Sequence, residues 1–155
     1  MKSNISTVLK TLVTSAIIAS GICIGGEGTL PFGKGRPPFS MKGQLEKQRP
    51  QQLVIKFNSQ GSYSRDMWES SGCPSWLDAY RVSGKIVVEG VIYRIYGVCA
   101  SEDRLGERIV KGSFGGNTIV LDGLLEKVRQ GQVFSGTATV IERGRETRHG
   151  FTVYE

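Results

Sequence analysis

Histidine occurs once in this chain, at position 149, and tryptophan only twice. A single imidazole leaves a Ser-His-Asp hydrolase with only His149, and that residue sits on a predicted strand near a turn with no nucleophile motif around it. Cysteine occurs three times and never as a C-x-x-C pair, so a zinc site has little to work with. Long apolar runs are also missing. The longest such stretch, Leu12 to Ile24, is broken by Thr, Ser, Gly and Cys, and about 13 residues are too few to span a bilayer comfortably. A transmembrane β-barrel is disfavoured because the predicted strands are short and interrupted by a predicted helix.

Glycine is plentiful, at 21 of 155 residues, and lies among runs rich in Val, Ile and Tyr. That combination predicts one mainly β domain with many turns and room for a core. The net charge is +6. A basic chain favours anionic partners, but the distribution decides how. From Val82 to Glu155 ten basic residues face nine acidic ones. Phosphate affinity in that half must come from a few placed side chains rather than a broad field.

At the N-terminus Lys2 and Lys10 precede the apolar run, a pattern that predicts a secretory signal peptide over residues 1–26 and a periplasmic or extracellular destination. The membrane is then met only during export. Cys23 is expected to leave with the signal, so the mature chain keeps Cys73 and Cys99. In an oxidising compartment two cysteines most simply form one disulfide, whose loop of about 25 residues corresponds to roughly 3 kcal/mol of chain entropy. A thiol that binds metal or reacts is the other reading.

Residues 27–50 contain L-P-F-G-K-G-R-P-P-F-S and a polar stretch from Lys42 to Arg49. They are expected to form a basic, extended Pro/Gly-rich linker, able to serve as a solvated spacer or as an arm for a polyanion or a protein partner. Residues 51–72 are expected to be an N-terminal strand extension, with strands at Gln52 to Phe57 and Tyr63 to Trp68 and a turn at Ser70-Ser71-Gly72.

The domain proper is expected at residues 73–155. Ala79 to Val88 and Val91 to Val98 are β-rich runs hinged at Glu89-Gly90, a predicted hairpin. Arg94 is unusual in so apolar a strand, and its plainest reading is an aliphatic stem lying on the surface. Ile109 to Phe114 predicts a strand ending at Gly115-Gly116-Asn117. Leu121, Leu124, Leu125 and Val128 fall at i, i+3, i+4 and i+7, which predicts a helix. Val133 to Glu142 and Arg145 to Tyr154 predict strands around Arg143-Gly144. Three strands, one helix and two strands is the order of a five-stranded OB-fold barrel in which Ala79 to Val88 bends.

In that order the text V-S-G-K-I, then Y-R-I-Y-G-V-C-A-S-E, then Glu142-Arg143-Gly144-Arg145 resembles the motifs of the staphylococcal nuclease-like (thermonuclease) family. The resemblance runs from about Tyr80 to Tyr154. It implies phosphodiester chemistry in which two arginines bind phosphate and a glutamate handles the attacking water, around calcium held by two aspartates. Arg94 and Arg145 match the arginines and Glu102 the glutamate. Lys85 and Cys99 stand at the aspartate positions, and Ser101 stands where the family has proline. A lysine repels a dication, so no calcium or other cofactor is expected, and hydrolysis is expected to be weak or absent. Lys85, Arg94 and Arg145 then form an anion pocket for single-stranded nucleic acid or another polyanion. Two readings stand beside this one. The first is an active phosphodiesterase in which Lys85 or Asp103 makes good the lost metal ligands. The second is a disulfide-stapled envelope or interaction protein that uses the barrel as scaffold.

Overall fold

A computed structural model describes residues 31–32, 39–100 and 106–155. Eight strands close into one antiparallel barrel in sequence order: β1 (Phe39–Glu46), β2 (Gln51–Tyr63), β3 (Asp78–Val88), β4 (Val91–Ala100), β5 (Glu107–Phe114), β6 (Asn117–Val128), β7 (Gly131–Glu142) and β8 (Arg145–Tyr154). The described helix, α1 (Arg65–Ser71), lies between β2 and β3. Each strand pairs with its sequence neighbours, and β1 closes the ring against β8.

Alternation of side chains explains why the sheet curls shut. Along β1, Met41 and Leu45 are buried while Lys42, Gln44 and Glu46 are not; along β2, Leu53, Ile55 and Phe57 are buried while Gln52 and Lys56 are exposed. Every strand sends residues into one apolar cluster that fills the interior, including Ile86, Val110, Leu121, Phe134 and Val153. An eight-stranded barrel is just wide enough for its own side chains to fill it. The outward charges reverse the pattern of a membrane barrel, whose lipid-facing positions are apolar. Among the described residues no helix is long and apolar enough to cross a membrane.

Three hairpins turn tightly at one end of the barrel. Glu89-Gly90 (φ 46° and 84°), Gly115-Gly116 (55° and 82°) and Arg143-Gly144 (49° and 77°) each place two residues in the left-handed region. That is the two-residue turn whose twist matches paired strands. The longer connections, including α1, lie at the other end, called here the helix end. Ser64 caps α1 by accepting from the Met67 amide (3.3 Å), and Gly72 ends it at φ 61°. The Arg81 guanidinium on β3 donates to the same Ser64 hydroxyl (3.1 Å) and pairs with Asp66 (3.6 Å), fixing the helix against the barrel wall.

The β-rich class, the closed barrel and the β3–β4 hairpin are as the sequence predicts, whereas the described helix is α1 and not the one expected at Leu121 to Val128. The strand count is corrected from five to eight. Residues 39–46, within the expected linker, form β1, because Phe39, Met41, Gly43 and Leu45 alternate with polar residues and pair with β2, and Lys42 to Glu46 pair with β8 as well. Gln51 to Tyr63 is integral to the barrel rather than an extension, and the strand expected over Tyr63 to Trp68 gives way to α1 beyond Tyr63. Leu121 to Val128 is strand, not helix: Ile119 and Leu121 point into the core with Leu125 partly buried, while Leu124 and Val128 are exposed. Asp78 to Val88 remains one strand. The signal peptide, Cys23 and the Pro-rich segment at 33–38 lie outside the described residues.

Candidate functional site

The Cys73–Cys99 disulfide is formed, with sulfurs 2.03 Å apart. A register irregularity in β4 explains why Cys99 can reach it. Ile95 pairs with Gly112 and Gly97 with Lys111, leaving Tyr96 as an extra residue. The bulge reverses the alternation, so Val98 and Ala100 face the core while Cys99 faces outward. Cys99 is nonetheless fully buried, because Cys73, Leu77 and Met67 from the α1 segment cover it together with Ala79, Ile109 and Val120.

Lys85 and Arg94 are brought together. They are direct cross-strand partners on β3 and β4, and Lys56 on β2 is the next partner in the same row. Side chains opposite one another in this way lie about 5 Å apart at Cβ, so a row of three cations is mildly self-repelling. Among the described residues none of the three makes an ion pair. Acidic residues are also scarce around them: β2 and β4 carry none, and β3 carries only Asp78, at its far end. Lys111 on β5 lies beside the row, and burial pushes its ammonium below the ordinary lysine value.

The sheet opens next to this row. Pairing between β3 and β4 is interrupted from Tyr80/Val98 to Lys85/Arg94, and β2 shifts register at Asn58. A shallow groove of about 530 Å³ results, lined by Asn58, Ser83, Gly84, Lys85, Ile92 and Arg94. The Ser59 and Ser83 hydroxyls hydrogen-bond across it (2.8 Å). Tyr96, the bulge residue, is 45% exposed nearby. Cations, hydroxyls, an amide and an exposed aromatic thus share one outer face. Sequence reasoning missed Lys56 and Tyr96. Lys56 could have been found from the alternation of Gln52 to Phe57, but its register against Lys85 could not.

Arg145 is not brought to Arg94. It starts β8, on the opposite wall of the ring, and lines a separate hollow of about 590 Å³ with Asn117, Glu142, Arg143 and Thr147. The expected two-arginine pocket is therefore split between two surfaces. Glu102, with Ser101 and Asp103, lies outside the described residues. The calcium arrangement implied by the family resemblance does not fit the residues present: Lys85 faces another cation, and the Cys99 sulfur is consumed in a disulfide. His149 on β8 is half-buried, and burial together with the nearby Lys47 ammonium holds its imidazole below the usual value.

A second feature lies at the hairpin end. Leu45, Val88, Tyr93, Ile119 and Val140 floor a hollow of about 240 Å³ at the barrel mouth, rimmed by Lys47, Gln51, Glu89 and Glu142. Burial first, then the Glu142 carboxylate, push the Tyr93 phenol above its ordinary 10.0. No family model matches this sequence, and no curated protein or solved structure matches it either.

Proposed function

We propose that the outer face of β2 to β5 binds an extended, phosphate-rich polyanion, with single-stranded nucleic acid as the favoured class. The observation that carries this reading is the row Lys56–Lys85–Arg94, three adjacent cations without an ion-pair partner among the described residues. A closed sheet gains nothing from placing like charges opposite one another, whereas a bound chain of phosphates would convert that repulsion into attraction. Tyr96 beside the row offers a ring on which a base stacks, and Ile92 adds an apolar surface next to it; a simple polyphosphate would use neither.

Hydrolysis is weak or absent in this reading. Phosphoryl transfer needs a placed base or water-orienting group and compensation of charge on the attacked oxygens. Lys85 and Arg94 supply the second but not the first. Residence outside the cytoplasm belongs to the same proposal, supported by the disulfide, which persists in oxidising compartments.

The test is fluorescence anisotropy with a labelled oligothymidylate at low salt. K85E/R94E is expected to lower affinity at least tenfold, while R143A/R145A on the opposite wall leaves it within about twofold. Y96A is expected to weaken oligothymidylate but not inorganic polyphosphate. Equal losses from the two double variants, or no loss from K85E/R94E, would overturn the assignment of the face.

A further inference from the structure

Arg108 is the anomaly of the barrel interior. On β5 it is in phase with the inward Val110 and Gly112, and it is only 7% exposed. Its guanidinium donates to two backbone carbonyls, those of Pro31 and Glu107. No carboxylate pairs with it among the described residues; the neighbouring Glu107 side chain turns away to accept from the Trp76 indole (3.3 Å). Burial pulls the Arg108 pKa down, and the nearby Tyr80 phenol opposes that shift. Among the described residues this buried cation is met by neutral carbonyls, an incomplete pairing, because charge-assisted hydrogen bonds to an anion are roughly twice as strong.

The Pro31 carbonyl belongs to a segment that plugs the barrel. Phe32, 1% exposed, inserts its ring at the helix end among Phe57 (4.5 Å between centroids), Phe134 (5.6 Å) and Phe39 (6.0 Å). No strand depends on this plug: β1 to β8 close the ladder without it. From the Pro31 carbonyl carbon to the Phe32 ring the chain runs through three atoms, the Phe32 nitrogen, Cα and Cβ. The same three-atom spacing separates carboxylate and ring in 4-phenylbutanoate.

We infer that the helix end of the barrel is a binding site for a small monocarboxylate with an aryl or alkyl tail, and that Pro31-Phe32 occupies it as the chain's own stand-in. The ligand's carboxylate takes the place of the Pro31 carbonyl on Arg108, and its tail replaces the Phe32 ring among Phe39, Phe57 and Phe134. A tethered occupant competes at high effective concentration, so the free ligand binds the intact protein weakly and a protein with a vacated slot more tightly. This site is separate from the outer cationic face and does not rest on the polyanion reading.

The experiment is calorimetric titration of the full chain and its F32A variant with 4-phenylbutanoate and with its neutral counterpart, 4-phenyl-1-butanol. F32A is expected to bind the carboxylate saturably, at least tenfold more tightly than the unaltered protein does and about tenfold more tightly than it binds the alcohol. In F32A/R108Q that preference for the carboxylate is expected to vanish. Absence of saturable binding by folded F32A, or equal affinity for acid and alcohol, overturns the inference. Should F32A not fold alone, 4-phenylbutanoate is expected to restore its folded circular dichroism signal more effectively than the alcohol, and failure to do so counts equally against the site.

Discussion

Replacing both Cys73 and Cys99 by alanine removes a cross-link spanning 26 positions of sequence. For a loop of that size, chain entropy corresponds to about 3.5 kcal/mol at 25 °C. The enclosed segment contains all of β3 and nearly all of β4, two adjoining walls of the barrel, so the freedom gained on unfolding belongs to the main sheet and not to α1 alone. Alanine is the better choice than serine, because both sulfurs lie in an apolar cluster with Leu77, Ala79 and Ile109, where unpaired hydroxyls would add their own penalty. Loss of contacts in that cluster adds to the entropy term, for a total of about 4 kcal/mol. In a domain of this size that is a fall in melting temperature of roughly 12–20 °C. Urea denaturation should be followed by two probes. Trp68 and Trp76 lie on the tethered segment, whereas far-ultraviolet circular dichroism reports the barrel. Both transitions are expected to move together. A shift in the tryptophan signal alone, or a change in barrel stability below about 1 kcal/mol, would refute the reasoning by showing that the disulfide only holds the helix down.

Two further perturbations test the core and the barrel mouth. Because the folded protein holds the Tyr93 phenol above its ordinary 10.0, the unfolded chain loses that proton first, so this group's contribution to stability falls as pH rises past 10.0. Y93F is expected to lose stability less steeply than the unaltered protein between about pH 9 and 11, read from urea midpoints; parallel curves would contradict the burial of this hydroxyl against Glu142. Gly43 sits where β1 closes on β8, and a Cβ there would lie 1.9 Å from the Thr152 carbonyl oxygen. G43A must therefore push the closing strands apart and is expected to cost about 3 kcal/mol, whereas G90A, in a turn with open space around it, costs about 1 kcal/mol through its positive φ alone. Equal losses by chemical denaturation would mean that the barrel seam is less tight than described.

Much of the fold was legible where short-range chemistry decides it. Glu89-Gly90 and Arg143-Gly144 announced hairpins because few residues tolerate the left-handed region, whereas Gly115-Gly116 reads only as a turn ahead of the expected helix. The helix α1 was missed: Ser64 and Gly72 cap its seven residues, but the chain around them reads as strand and turn. Leu121 to Val128 misled because two outward apolar residues, Leu124 and Val128, complete a helical spacing by coincidence. The true alternation was Ile119, Leu121, Gly123, Leu125, with a glycine hiding one step. In the same way the prolines at 31, 37 and 38 obscured the clean alternation of Phe39 to Leu45 that begins immediately after them.

The candidate site was half legible. Arg94 and Lys85 could be singled out by residue type, but their partnership with Lys56 depends on the register across β2, β3 and β4, which long-range pairing fixes. Arg145 was grouped with Arg94 through motif order, and the ring of eight strands separates them because β4 and β8 face opposite directions. Arg108 carried no sequence signal beyond its place in an alternating strand, and the segment that meets it lies 77 positions earlier.

The cationic row is tested most directly by the salt dependence of oligothymidylate affinity. Neutralising three phosphates of a single strand predicts a slope of about −2 for log K against log salt. K56Q/K85Q/R94Q is expected to bring that slope close to zero while the protein keeps its melting temperature. A triple variant that binds with the same slope as the unaltered protein would contradict the account.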